Sequence, residues 1–398
     1  MTRTILDLHV LQTVPPSNLN RDDTGTPKTA LYGGARRSRV SSQAWKRATR
    51  AAFAELLAPE ELGVRTKRVA EFVAERIHEL DDSIDRSEAL ALAAETVKAA
   101  TGSKIEVPKR KSGKKTDDGA SEPPAPQSSY LMFLSAQQRD ALAQLAVKGR
   151  ADIKAFFKDK DNKEEAKSSA NTRHSVDIAL FGRMVADGAD INVDAATQVA
   201  HAISVHAVEN ESDYYTAVDD RRKDEEPGAG MIGTVEFNSA TLYRYAALDV
   251  DRLAANLGRG LRDGEEPTTP VRRAVEAFVE GFVDSMPSGK INTFGNHTRP
   301  EAVIVKLRGT RPVNFVSAFE QPVVADVGSG YLRKACERLA DHISQIEEAY
   351  GTHADTTTWV LRAGANTEPL AGLGAESSMG ELVESVGRAA ADRQAETA

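Results

Sequence analysis

Alternation and helical spacing divide this chain into elements before composition is considered. Residues 4–10, "TILDLHV", set Leu6, Leu8 and Val10 on one face and Asp7 and His9 on the other, which predicts a strand with a polar side. A loop rich in Pro, Asn, Asp and Gly follows from Pro15 to Gly34. The first helix begins at Ser41 or Ser42, either of which can cap it. Trp45, Ala48, Ala52 and Leu56 form its apolar stripe, and Lys46, Arg47 and Arg50 lie off that stripe. Helical patterns recur over 65–80, 85–101, 136–159 and 194–208, with a compact stretch, "VDIALFGRM", at 176–184. Residues 234–248 alternate, with a break at Asn238–Ser239 that gives two strand segments or one strand with a bulge. A helix starts after Pro270, with Val271, Ala274, Val275, Phe278 and Phe282 on one side. "EAVIVKL" (301–307) reads as a buried strand, and a last long helix spans 328–350. The tail after Asn366 is rich in small and acidic residues, with an amphipathic piece near 380–390.

This order of elements predicts an α+β fold around an antiparallel sheet. A ferredoxin-like arrangement, the one used by RNA-recognition modules, fits it best. The aromatic signature of the ordinary RNA-recognition motif is absent, so bases are not expected to stack on the sheet. Between 102 and 129 the periodicity breaks into a stretch rich in Lys, Pro, Gly and Ser, which reads as a mobile, solvated loop.

Composition narrows the chemistry. The 398 residues suffice for one large domain or two ordinary ones. Cys336 is the sole cysteine, so neither an internal disulfide nor a multi-cysteine zinc site can form, which fits a reducing cytosol. No apolar run approaches a membrane span, and Asp7 and His9 interrupt the apolar N-terminal run where a signal sequence would lie. The expected location is cytoplasmic, with no membrane contact. Motifs for zinc proteases, phosphate loops and nucleophile elbows are missing, and no metal or cofactor is expected. His9, on the polar side of the first strand, has no catalytic partner named by the sequence. Binding is therefore favoured over catalysis.

Charge distribution changes that picture most. The formal net charge is -8, yet residues 28–50 hold seven Lys or Arg and no Asp or Glu. Arg36, Arg37 and Arg39 sit in a Gly-Gly loop just before the first helix, and Lys46 and Arg50 are spaced i, i+4 on that helix. A helix N-terminus adds unpaired N–H groups and partial positive charge. These features suit several phosphates in a row. Ser41 and Gln43 can add hydrogen bonds, and Arg21 and Lys28 extend the track. Rival readings are an RNA-processing endonuclease using His9 as base, and a transferase whose Gly-Gly loop holds a cofactor phosphate. No nucleophile or base accompanies that loop.

The stretch "HVLQTVPPSNLNRDDTGTPKTALYGGARRSRVSSQAWKRATR" resembles the N-terminus of the CasC family, backbone subunits of the type I-E CRISPR Cascade complex. "VDIALFGRM", "AHAISVH", "YTAVDD", "GTVEF", "YRYA" and "GKINTFGN" resemble further blocks of that family, in order. The resemblance implies a non-catalytic subunit that polymerises head to tail along a CRISPR RNA, holding its backbone and presenting bases to target DNA. It implies as partners CRISPR RNA, target DNA, further copies of the chain, other Cascade subunits and a recruited helicase-nuclease. The implied organisation is a discontinuous RNA-recognition-like palm (1–60 and 176–350), a helical finger insertion (61–175) carrying the 102–129 loop, a thumb (209–237) and a C-terminal extension (351–398). The implied guide contacts are Arg21, Lys28, Arg36, Arg37, Arg39, Ser41, Gln43, Lys46, Arg47, Arg50, Lys290 and Asn292. Met184 matches a wedge beside a displaced nucleotide, with Met231 and Ile232 near the thumb tip. Read without the family, Met184 is core packing.

Overall fold

A computed structural model describes residues 3–108, 125–184, 191–217, 231–258, 265–326, 328, 330–351 and 355–397. The chain divides into two compact units: residues 1–56, 197–251 and 272–398 form one, and 57–196 with 252–271 form the other. The first unit opens with β1 (Ile5–Ser17), the hairpin β2 (Thr29–Tyr32) and β3 (Ala35–Val40), and α1 (Ser42–Leu56). The second unit holds β4 (Gly63–Thr66), α2 (Val69–Leu80), α3 (Arg86–Thr101), β5 (Ile105–Glu106), β6 (Gln127–Ser128), β7 (Met132–Ser135), α4 (Ala136–Lys148), α5 (Ile153–Phe156), α6 (Lys160–Ala170) and α7 (Val176–Phe181). The first unit resumes with β8 (Thr197–Val199), β9 (Ala202–Ser204), β10 (Glu211–Ala217) and β11 (Met231–Asp249); α8 (Val250–Leu257) and the first residues of α9 (Thr269–Asp284) fall mostly to the second unit; and the rest of α9, α10 (Ile291–Phe294), β12 (Ala302–Arg308), α11 (Leu332–Tyr350), β13 (Thr356–Arg362), β14 (Ala375–Glu376) and α12 (Met379–Thr397) complete the first.

The first unit is built on a sheet of order β14-β13-β12-β1-β11-β9-β3-β2, with β8 and β10 also paired to β11. Every pairing is antiparallel except β13 with β14. The break expected at Asn238–Ser239 is a register shift: β11 runs on as one strand, and the extra residue lies in β1 between Val14 and Ser17, at Pro15–Pro16. The segment after 350 supplies the strands β13 and β14 to this sheet, followed by α12.

Residues 5–12 of β1 have no solvent face. The strand is central in the sheet, and both Asp7 and His9 are buried together with Leu6, Leu8 and Val10. Its alternation separates two covered faces. On one, Leu11, Tyr243, Tyr245 and Ile304 meet Phe315, Phe319 and the Ala335, Cys336, Leu339, Ile343 stripe of α11. On the other, Val14, Val40, Ala240 and Leu242 meet Trp45 of α1. The polar residues on the α11 side survive burial by pairing. Arg308 donates to Asp7 and Glu347, Lys306 to Glu347 and Thr358, and Tyr245 to Asp7.

Two helical expectations are corrected. Residues 194–208 carry β8 and β9, because their short pairings to β11 and β3 outweigh the local preference of an Ala-rich stretch. Residues 136–159 split into α4 and α5 at Gly149, where an added Cβ would lie 2.6 Å from the Ile153 side chain. Asp152 then caps α5 and Asp159 caps α6.

The second unit has its own core, formed by α2, α3, α4 and α6 around residues such as Val73, Ile77, Leu92, Val97, Leu142 and Leu145. The Lys-rich stretch is flanked by β5 and β6, which pair antiparallel. Its residues 109–124 lie outside the described residues. No helix among the described residues is long and apolar enough to cross a membrane.

Candidate nucleic-acid interface

The acid-free run folds as the hairpin β2–β3 followed directly by α1. Gly33 and Gly34 turn the hairpin with φ of +57° and +74°, and a Cβ on Gly33 would strike the Glu320 carbonyl at 1.5 Å. Glycine is therefore required there by the backbone packed against it. The apolar side of α1 is Trp45, Thr49 and Phe53. This is rotated from the Ala48, Ala52 and Leu56 stripe expected from hydrophobicity alone, because Thr49 goes inward. Lys46 and Arg50 are half-buried, and Gln43 and Arg47 are exposed. Partial burial, which penalises its charged form, pulls the Lys46 ammonium below its ordinary pKa.

The preceding loop is locked to the start of α1. Asn20 accepts from the Ser41 N–H through Oδ1 at 2.9 Å, and its carbonyl accepts from the Lys28 N–H. Asn18 donates to the carbonyls of Gly25 and Glu236. Asp22 Oδ1 accepts from Thr24 and Thr26, an Asx turn that holds its carboxyl below the usual range. Arg21, at the edge of this loop, is exposed, and Lys28 is half-buried. Gly289 brings the "GKINTFGN" turn against the same loop: a Cβ there would lie 2.2 Å from the Leu19 carbonyl. Lys290, half-buried in a left-handed conformation, and Asn292, exposed on α10, follow directly. Two motifs about 270 residues apart thus share one part of the first unit.

The cations expected on this track do not all face outward. Arg36 is exposed and Arg39 is half-buried, its Nε donating to the Thr29 carbonyl. Arg37 is fully buried: its guanidinium donates to the carbonyls of Ser204, Phe319 and Glu320. Arg37 is buried with Ser38 in β3 while Arg36 stays exposed, and its two terminal nitrogens are committed to backbone carbonyls. Ser41 is also buried, and its carbonyl accepts the first turns of α1 from Ala44 and Trp45. Sequence reasoning missed Asn18, Asn20 and His201. Asn20 stood inside "LNRDD" and His201 inside "AHAISVH", but nothing local marks either as a partner of α1.

Met184, in the second unit, is 87% exposed, so the core-packing alternative fails. Arg183 beside it is buried and donates to the carbonyls of Ile191, Phe133 and Ala170 and to the side chains of Gln138 and Asn171. Met231 and Ile232 pair with Ala217 and Thr216 at the start of β11. Residues 218–230, which join β10 to β11, lie outside the described residues.

His9 is buried among Tyr243, Tyr245 and Phe315, its Nδ1 at 2.9 Å from the Tyr243 hydroxyl. Burial and the nearby Arg308 and Lys306 hold its pKa well below 6.5. A substrate-facing general base needs access that this ring lacks. Among the described residues, no group of three or more His, Cys, Asp or Glu could hold a metal ion.

The molecule is thus an α+β chain with a large, antiparallel-dominated sheet and a basic hairpin–helix edge. A family model described as CT1975-like protein matches residues 6–385. The chain belongs to the CT1975-like protein family. A chain of a "CRISPR RNA-guided surveillance complex, pre-nicking" is 33% identical with a TM-score of 0.77, over 97% of this chain and 100% of that one. A chain of a second "CRISPR RNA-guided surveillance complex" is 29% identical with a TM-score of 0.68, over 97% and 99%. Comparison with curated proteins found no match.

Proposed function

We propose that this chain is a non-catalytic backbone subunit of a type I-E Cascade surveillance complex. It holds the sugar–phosphate backbone of a CRISPR RNA and leaves the bases to pair with target DNA. The observation that carries this reading is the acid-free run 28–50, folded as one hairpin–helix edge with Arg36, Arg39, Gln43, Lys46 and Arg47 accessible. A subunit that accepts any guide must grip phosphates and sugars and ignore base edges. Arg21, Lys28, Arg50, Lys290 and Asn292 extend the grip, whereas Arg37 and Ser41 support it from inside.

In this reading the first unit contains the RNA-recognition-like palm, the second contains the finger, and the β10–β11 hairpin begins the thumb. Copies add head to tail along the guide in the cytoplasm, which needs two different surfaces on each subunit. Met184, apolar and exposed, parts stacked bases without reading them. Other Cascade subunits and a helicase-nuclease complete the assembly.

The test is the salt dependence of single-stranded RNA binding by the Lys46→Ala/Arg50→Ala variant. Each lost phosphate contact lowers the slope by about 0.7. A folded double variant with an unchanged slope would overturn the reading. So would purification of the chain from its source without a small RNA of defined length.

A further inference from the structure

His201 lies between β8 and β9 and is exposed. Its Nδ1 is 3.2 Å from the backbone nitrogen of Ser42, the first residue of α1, and 3.5 Å from Arg39 Nη1. A backbone N–H and a guanidinium can only donate, so Nδ1 is an acceptor twice over. In a neutral imidazole the proton then resides on Nε2. The Ser42 amide is one of the first-turn groups that no intrahelical carbonyl can reach, so His201 also satisfies a helix end from another element. Partial burial and the charges of Arg39 and Lys28 hold the ring below its ordinary pKa. At neutral pH the ring is therefore uncharged. Its Nε2–H has no partner among the described residues, and the positive charges of Arg39 and Lys28 act on the ring and would attract an anion.

We propose that His201 is a binding residue whose Nε2–H donates to a non-bridging phosphate oxygen of the RNA strand, beside Arg39 and Lys28. A neutral donor of fixed tautomer supplies direction where the flanking cations supply only charge. This inference rests on the reading that the hairpin–helix edge holds RNA.

Two substitutions separate binding from structure. His201→Asn places its side-chain oxygen where Nδ1 was, so the Ser42 amide keeps an acceptor while the outer donor is lost. His201→Gln reaches the Nε2 position and restores that donor. Both are compared with the wild-type full chain by fluorescence anisotropy on a labelled single-stranded RNA, after thermal unfolding confirms that each folds. His201→Asn should bind on the order of tenfold more weakly, and His201→Gln should fall within about twofold of wild type. Equal binding by wild type and His201→Asn overturns the proposal, as does an equal loss in both variants. The Lys46→Ala/Arg50→Ala variant is the control: if it also binds normally, the RNA reading itself fails. If it alone is weakened, only the assignment of His201 falls.

Discussion

The Arg244 guanidinium lies over the Trp45 ring, 3.7 Å from its centroid, and joins the middle of β11 to the basic helix α1. Phe282 of α9 lies on the same cation at 4.7 Å. Nη1 donates to Gln12 Oε1 at 2.7 Å, and Nη2 donates to the Phe282 carbonyl. Among the described residues no carboxylate pairs with this fully buried cation, and burial pulls its pKa down to about 9. Two aromatic faces and oriented oxygens replace the lost water. One arginine thus sets the seat of the helix that carries Lys46 and Arg50.

Arg244→Lys keeps the charge but loses the flat guanidinium and its fork of donors. It should lower stability by about 2–3 kcal/mol, read as a shift in the urea midpoint. A change below about 0.5 kcal/mol would mean that packing around Trp45 alone seats α1.

Arg36 and Arg37 are neighbours with opposite fates. Arg37→Ala strands three carbonyl acceptors in the interior and should cost about 3 kcal/mol, while the folded variant keeps the salt slope of RNA binding. Arg36→Ala should leave stability within about 0.5 kcal/mol and reduce that slope. Urea unfolding and binding titrations at several salt concentrations distinguish the two.

The same contrast holds at Arg183 and Met184. Arg183→Met abandons five hydrogen-bonded oxygens in the second unit and should cost about 3 kcal/mol or more. Met184→Ala removes an exposed side chain and should change stability by less than about 0.5 kcal/mol. Chemical probing of the bound guide should nevertheless show that Met184→Ala loses regularly displaced nucleotides.

Asp7 gives a pH signature. Burial outweighs its bonds to Tyr245, Val313 and Arg308, and moves its pKa from 3.8 up to about 6. The folded state then binds the extra proton between those values. Its contribution is present below the lower value and is lost as pH rises through 6. His9 acts oppositely: its lowered pKa means that the unfolded state takes the proton first, so its contribution is lost on acidification. The two slopes offset each other in wild type. Asp7→Asn removes one of them, so the variant should lose ground to wild type by about 2 kcal/mol between pH 6 and pH 4. Parallel stability curves for the two proteins would refute the Asp7 assignment.

The sequence by itself determined the elements whose side chains follow a strict period: β1, α1, β11, α9, β12 and α11. It also determined the concentration of charge in 28–50 and the order of the family blocks, because these are properties of neighbouring residues. Tertiary structure decided which side of each period meets solvent. Asp7 and His9 look like a wet face until β11 and β12 flank the strand and α11 covers it. Arg37 looks like its neighbours until carbonyls 167 to 283 residues away claim its donors. β8 and β9 look helical until β11 and β3 offer them partners. His201 acquires a tautomer only when the amide of Ser42, 159 residues earlier, meets its ring. Local preference is worth tenths of a kcal/mol per residue, whereas an unpaired buried polar group costs about 1–3, so partners distant in sequence set the outcome.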